Sequence, residues 1–248
     1  MNSKQQQVAI VTGASRGIGA AIAQRLGREG YAVVVNYAGN AAEAARVVQA
    51  IADGGGSAIA VQADVADPAA VRALFDQAIA QLGRVDVLVN NAGIMPPQLP
   101  ALADTGDDTF DRLVAVNLKG SFNTMREAGT RLQHGGRVIN FSSSLVGTRL
   151  PGYAVYAATK AAVETMTNIL AKEMRGKGIT VNAVAPGPTA TALFLDGKTP
   201  ETIARLSAMA PLERLGTPDD IAAAVAFLAG PDGAWINGQT LRANGGMV

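Results

Sequence analysis

The sequence predicts an α/β fold, a single doubly wound domain whose seven-stranded parallel sheet carries helices on both faces. Three observations lead there. Short apolar runs alternate with helical patterns along all 248 residues, and strand–helix–strand repetition gives parallel strands joined by right-handed crossovers. The chain is 48% hydrophobic with a mean hydropathy of +0.18, a bias expected of strands buried on both faces. The residues least suited to a core fall just after the apolar runs, where open α/β sheets bind ligands. No repeat, low-complexity tract or linker breaks the alternation, so residues 1–248 are expected to form one domain.

Each element has its own signal. "VAIVT" (8–12) is the first strand, and a helix runs through "IGAAIAQRLGRE". "AVVVNY" (32–37) is the second, leading into an alanine-rich helix from about Ala41 to Ala52. "SAIAVQAD" (57–64) is the third, and Asp67-Pro68 opens the next helix as N-cap and first-turn proline. "VDVLVNNAG" (85–93), "GRVINFSS" (136–143) and "ITVNAVAPG" (179–187) are strands four to six, with "GQTLRANGG" (238–246) the seventh. The stretch from Pro188 to Pro211 fits no sheet position, and its small residues predict a mobile helical flap at about 188–211.

Composition removes several function classes. Lysine and arginine number 21 against 20 acids, a net charge of +1 with no block of one sign, which argues against a nucleic-acid partner. The absence of cysteine excludes disulfides, thiolate catalysis and cysteine metal sites. The single histidine, His134 in "LQHGGR", reads as a loop residue and cannot make a His-based zinc motif alone. No metal is expected. The late apolar run Ile221 to Ala229 is too short to span a bilayer, and the start "MNSKQQQ" lacks the apolar core of a signal peptide. A cytoplasmic protein without a membrane partner is the expectation.

The strand ends carry the chemistry. After strand one comes "TGASRGIG" (12–19), where Gly13, Gly17 and Gly19 allow a tight turn and close approach to a pyrophosphate. Ser15, Arg16 and Ile18 complete the loop, and the helix behind it offers amides and a dipole. After strand two, where an acid would bind the ribose 2′-hydroxyl of NAD, Asn36 and Tyr37 stand instead. Arg16 is then free to face a 2′-phosphate, so NADP(H) is expected over NAD(H); the plainer alternative for Arg16 is a solvated loop charge. On this placement Asn36→Asp is expected to move preference toward NADH. Asp64 and Val65 follow strand three, either to bind an adenine or merely to shape the turn into the next helix. Asn90, Asn91, Ala92 and Gly93 follow strand four, where paired asparagines can tie strands together and line a ribose.

Strand five ends in Ser142, Ser143 and Ser144, with no histidine placed to activate a serine nucleophile. A serine that donates a hydrogen bond to a carbonyl needs no such base. In "VYAATKAAV" (155–163), Tyr156 and Lys160 are four apart and share one helix face. A free tyrosine, with a pKa of about 10, is a poor acid or base at neutral pH. A neighbouring ammonium favours the phenolate, and so is expected to bring this tyrosine into a working range.

Taken together, "TGASRGIG", "NNAG", a serine after strand five, "YAATK" and "APG" followed by threonine resemble the short-chain dehydrogenase/reductase family over essentially the whole chain. The resemblance implies a Rossmann domain and a catalytic tetrad of Asn117 (in "VNLKG"), Ser143, Tyr156 and Lys160. Counting thirteen residues back from the tyrosine, or along the strand from "GRVINF", gives Ser143; counting back from "LVG" gives Ser144. We assign Ser143. By resemblance, Tyr156 gives a proton to a carbonyl that Ser143 polarises, and Lys160 binds the nicotinamide ribose. Asn117 supports a water relay, and Pro186, Gly187, Thr189 and Thr191 fix the carboxamide. "ITVNAVAPGPTAT" and "GQTLRANGGMV" are similar to 3-oxoacyl-carrier-protein reductases and broad carbonyl reductases, which implies a homotetramer. The expected activity is NADPH-dependent reduction of a ketone or 3-oxoacyl substrate, with NAD-dependent oxidation of a sugar or secondary alcohol as the alternative. A non-catalytic nucleotide sensor would have no use for all four tetrad residues. Apolar residues at Ile94 to Leu99, Leu145 to Tyr153 and Ala190 to Met209 are the expected substrate walls, Leu193 prominent among them.

Overall fold

In a computed structural model that describes residues 6–95 and 98–248, the apolar runs become a single sheet. Its strands are β1 (Val8–Val11), β2 (Ala32–Tyr37), β3 (Ser57–Gln62), β4 (Val87–Asn90), β5 (Arg137–Phe141), β6 (Thr180–Pro186) and β7 (Thr240–Ala243). The spatial order is β3-β2-β1-β4-β5-β6-β7, and every neighbouring pair is parallel. The order reverses at β1, so the crevice beyond β1 and β4 is where a ligand of such a sheet belongs. Positions 96 and 97 of the expected wall Ile94–Leu99, and the side chain of Leu193, lie outside the described residues.

Successive residues of the central strands point to opposite faces, yet both sets are apolar. Ala9 and Val11 pack with α1 (Gly17–Arg28), α2 (Ala41–Asp53) and α10 (Pro218–Ala229). Val8 and Ile10 pack on the other face with α3 (Pro68–Leu82), α5 (Gly120–Arg131) and α7 (Ala154–Glu173). This two-sided burial is the physical source of the apolar composition. Large side chains such as Ile22, Leu26, Leu74 and Phe75 are fully buried, each worth about 1.5–3 kcal/mol relative to exposure. Asp67 caps α3 as expected, its carboxylate accepting from Ala69 N at 2.8 Å, with Pro68 in the first turn.

The remaining elements shape the rim. α4 (Asp107–Leu113) continues through a π-helical turn, Val114–Lys119, directly into α5. α6 (Leu145–Thr148) follows the serine turn, while α8 (Ala192–Leu195) and α9 (Pro200–Ser207) build the segment expected to be helical beyond β6. That segment is pinned at its start by a bridge between Thr189 and Gly216. Several strands are shorter than their apolar runs. β4 stops at Asn90 because Asn91 turns back to Val89 O. β7 is confined to Thr240–Ala243 by Gly238, Gly245 and Gly246, with φ of 68, 65 and 88°. Among the described residues, no helix is long and apolar enough to cross a membrane.

The end of β2 corrects one expectation. Asn36 does not face a ribose. It is 1% exposed, and its amide nitrogen donates to Val61 O (3.2 Å) and Ala63 O (3.0 Å). Its Oδ1 accepts from Gly13 N at 3.3 Å. Both donors are therefore spent holding β3 to β2, and the acceptor holds the glycine loop. Asn36→Asp would not act as a cofactor switch. It would set a carboxylate against two buried carbonyls at a cost of about 2–5 kcal/mol. The expected result is a lower thermal midpoint with no gain in NADH use; an unchanged midpoint with a shift to NADH would contradict this placement.

Candidate active site

The glycine loop is built by exclusion of side chains. Gly13 and Gly17 have φ of 62 and 56°, the left-handed region that glycine enters without strain. A Cβ on Gly19 would sit 2.4 Å from Gly13 O and 2.5 Å from Asn91 Nδ2, so α1 packs too closely for any other residue. Arg16 at the N-cap makes no side-chain cap, the first turn holds no acid, and the first helical bond is Ala20 N to Arg16 O at 3.2 Å. The amides ahead of it have no helical partner, which suits a phosphate. A Cβ on Gly17 would lie 3.5 Å from Thr191 Cγ2, so the start of the flap overhangs the loop. These residues fit a dinucleotide pyrophosphate. Ser15 and Ile18 are partly buried in the same loop, and Arg16 is exposed.

The other predicted positions divide between ligand-facing and structural work. Asp64 is exposed, and its carboxylate accepts from Ala66 N at 2.9 Å, shaping the turn before α3. Val65 is buried and its carbonyl accepts from Asn123 Nδ2 at 2.9 Å. Asn90 is buried and donates to Asn140 Oδ1 at 2.8 Å, a tie from β4 to β5. Its neighbour Asn91 does more for the loop, donating to Thr12 O (2.9 Å) and Gly13 O (3.1 Å). Thr12 Oγ1 accepts from Ala92 N at 3.0 Å, closing β1 against the turn after β4. Beyond β6, Pro186 ends the strand, Gly187 N donates to Ala243 O, and Thr189 Oγ1 donates to Gly187 O. Thr191 caps α8 by accepting from Phe194 N at 3.1 Å. Tyr37, at the end of β2, is partly exposed.

The structure brings Asn117 and Lys160 together at Gly93, with Tyr156 beside Lys160 and Ser143 beside Tyr156. A Cβ on Gly93 would lie 3.3 Å from Asn117 Oδ1 and 3.5 Å from Lys160 Nζ. Asn117 is fully buried in the π-helical turn, and its side chain grips Ile94 through both backbone groups, accepting at 2.8 Å and donating at 2.9 Å. Lys160 is 3% exposed and donates to Phe141 O at 2.9 Å. The Ser143 hydroxyl neighbours the Tyr156 hydroxyl and lowers its pKa. Ser144, by contrast, turns away to Ala185 O and Asn244.

In this structure burial, ahead of the lysine, sets the electrostatics of the tyrosine. Burial pushes the Tyr156 phenol up to about 12, a rise that the Ser143 hydroxyl opposes and nearby Tyr153 reinforces. Burial also lowers Lys160 to about 8. Lys160 Nζ is 5.8 Å from the tyrosine ring centroid and is held by a backbone carbonyl, so no direct ion pair offsets the burial of the phenol. Tyr156 is thus held neutral, with its proton in place, beside an ammonium that is still charged at neutral pH.

The part of the expected substrate wall from Leu145 to Tyr153 has another face. Leu145, Arg149, Leu150 and Tyr153 line a groove of about 500 Å³ with Ala154 and Ala158 of α7. Ala154, Ala157, Ala158 and Ala161 form a stripe on the helix face opposite Tyr156 and Lys160. The π-helical turn was the feature the sequence did not announce. Asn117 was nameable only by its surroundings in "VNLKG", because nothing in that stretch departs from an ordinary helix.

Comparison with known proteins gives the family. A family profile described as Enoyl-(Acyl carrier protein) reductase matches residues 13–248. A chloroplastic NADPH-dependent aldehyde reductase-like protein of Arabidopsis thaliana is 48% identical, covering 98% of this chain and 94% of its own. The 3-oxoacyl-(acyl-carrier-protein) reductase of Staphylococcus aureus is 44% identical, covering 98% and 99%. Among solved structures, a short-chain dehydrogenase from Burkholderia cenocepacia in complex with NADP superposes with a TM-score of 0.90 at 41% identity, covering 99% of both chains. The fold, the order of its strand-end residues and these relatives place the chain in the short-chain dehydrogenase/reductase family of oxidoreductases.

Proposed function

We propose that this protein reduces a ketone or 3-oxoacyl substrate to a secondary alcohol with NADPH. The observation that carries the reading is the grouping of Ser143 and Tyr156 beside buried Lys160, whose Nζ lies 5.8 Å from the tyrosine ring centroid and is held by Phe141 O. Reduced nicotinamide, when bound, supplies a hydride to the carbonyl carbon. Ser143 Oγ polarises the carbonyl oxygen, and Tyr156, kept protonated by burial, gives its phenolic proton to that oxygen as the C–O bond becomes single. Lys160 is held by Phe141 O where its charge stabilises the phenolate left behind. Asn117 anchors Ile94 and so fixes the rim of the site. NADPH is preferred over NADH: β2 ends without an acid, and exposed Arg16 is available to a 2′-phosphate. The NADPH-dependent relative and the NADP-bound neighbour support the same choice.

The test is consumption of NADPH and NADH against an aryl ketone, a 3-oxo ester, a 3-oxoacyl thioester and a quinone. Turnover should favour NADPH, and Tyr156→Phe should lower kcat/KM by about 10²–10⁴ while cofactor binding persists. Equal turnover in the variant would contradict the assignment of the proton donor.

pH gives a second check. Reduction consumes a protonated tyrosine beside a charged lysine, so its rate should hold near neutrality and fall as pH rises through about 8, where Lys160 discharges. Alcohol oxidation needs the phenolate, so its rate should climb through the alkaline range. A reduction rate that rises above pH 8 would contradict the account.

The same reading carries a homotetramer. Phe122 and Ile169 are 46% and 50% exposed on α5 and α7, and Trp235 is 96% exposed before edge strand β7. Apolar surface of this kind marks interfaces. Sedimentation should give four chains; a monomer at micromolar concentration would refute it.

A further inference from the structure

Three serines in a row close β5, and each has a different partner. Ser142 and Ser144 are both 3% exposed. Ser142 Oγ donates to Glu164 Oε1 at 2.6 Å. Ser144 Oγ accepts from Asn244 Nδ2 at 3.0 Å and donates to Ala185 O at 3.4 Å. Their amides prolong the sheet, Ser142 N to Val184 O at 2.8 Å and Ser144 N to Pro186 O at 3.0 Å. Between them, Ser143 Oγ accepts from Leu145 N at 3.2 Å, which turns it out of the sheet, and it neighbours the Tyr156 hydroxyl.

The two outer partners come from distant parts of the chain. Glu164 lies on α7, one turn past Lys160, and so reaches the turn from the helix that carries the tyrosine. Asn244 lies just past β7, and is itself held, its Oδ1 accepting from Gly246 N at 3.0 Å. A Cβ on Gly187 would lie 2.9 Å from Asn244 Cα and Cβ, so the asparagine packs closely on the backbone after β6. The C-terminal Val248 seals the same corner, its side chain within 3.0 Å of where a Cβ on Gly147 would stand.

We propose that Glu164 and Asn244 are positioning residues that hold the serine turn from two elements and so fix Ser143 Oγ beside the Tyr156 hydroxyl. The proposal rests on the reading of Ser143 as the group that binds the carbonyl oxygen. Without Glu164, the Ser142 hydroxyl loses its acceptor; without Asn244, the Ser144 hydroxyl loses its donor and the turn its tie to β7. Neither residue reaches the glycine loop, whereas Asn244 packs on Gly187 of the carboxamide segment, so only Glu164 is expected to leave cofactor affinity unchanged.

The experiment is a pair of double-mutant cycles, Glu164→Ala and Asn244→Ala each in the native and Ser143→Ala backgrounds. In the native background each should lower kcat by about ten- to a hundredfold, as expected for a small misplacement of a reacting group. In the Ser143→Ala background each should change kcat by less than about twofold, because the group they position is gone. Glu164→Gln should keep most of the activity, since its amide oxygen still accepts from Ser142. NADPH affinity, read from cofactor fluorescence, should hold in Glu164→Ala and Glu164→Gln. A readout independent of turnover is the ¹³Cζ resonance of Tyr156 at neutral pH, which both single variants should move in the direction that Ser143→Ala moves it. Equal losses of kcat in both backgrounds, or an unmoved resonance, would overturn the proposal. If Ser143→Ala alone changes neither kcat nor the resonance, the reading of Ser143 falls first and the proposal falls with it.

Discussion

At the carboxyl edge of a parallel sheet the ladder stops inside the protein, and the polar groups left there must find partners away from water. In this chain, short polar side chains supply them. Thr12, Asn36 and Asn91 satisfy and shape the glycine loop, Asn90 ties β4 to β5, and Lys160 caps the carbonyl of Phe141. Asn117 does the same for Ile94. Each of these groups is fixed by a bond that the fold cannot release cheaply, at about 1–3 kcal/mol for a buried group left unpaired. The site is rigid because the sheet must end.

Burial then decides the proton chemistry. A tyrosine and a lysine one turn apart suggest an ion pair that releases a phenolate. Lys160 is taken out of water and drawn to a backbone carbonyl, Tyr156 is partly buried, and the phenol keeps its proton. A protonated phenol is the competent state for delivering a proton to a carbonyl oxygen. The same desolvation leaves Lys160 close to its own titration, which confines the charged form to neutral and lower pH.

Most of the fold was legible because its signals are local. Apolar runs named seven strands, and Asp67-Pro68 marked the start of α3. Strand ends were overrun wherever a distant partner ends the strand, as at Asn91, which turns because its amide is needed at Thr12 O and Gly13 O. The glycine loop and the Tyr156–Lys160 spacing were readable as chemistry, since residue type and interval carry them. Asn36 misled, because an asparagine buried by three hydrogen bonds looks in sequence like one facing a ribose. The partners of Ser142 and Ser144 were invisible, as Glu164 and Asn244 are 22 and 100 residues away and only the packing of α7 and β7 brings them there.

The most direct test of the account follows the hydride itself. The protein would be incubated with NADPH carrying deuterium at the transferable position and with a mixture of apolar ketones and a 3-oxoacyl thioester, and the alcohols examined by mass spectrometry. The account predicts one deuterium on the carbinol carbon of at least one product, and none when Tyr156 is replaced by phenylalanine. Cofactor bound with native affinity, and no label in any product, would contradict it.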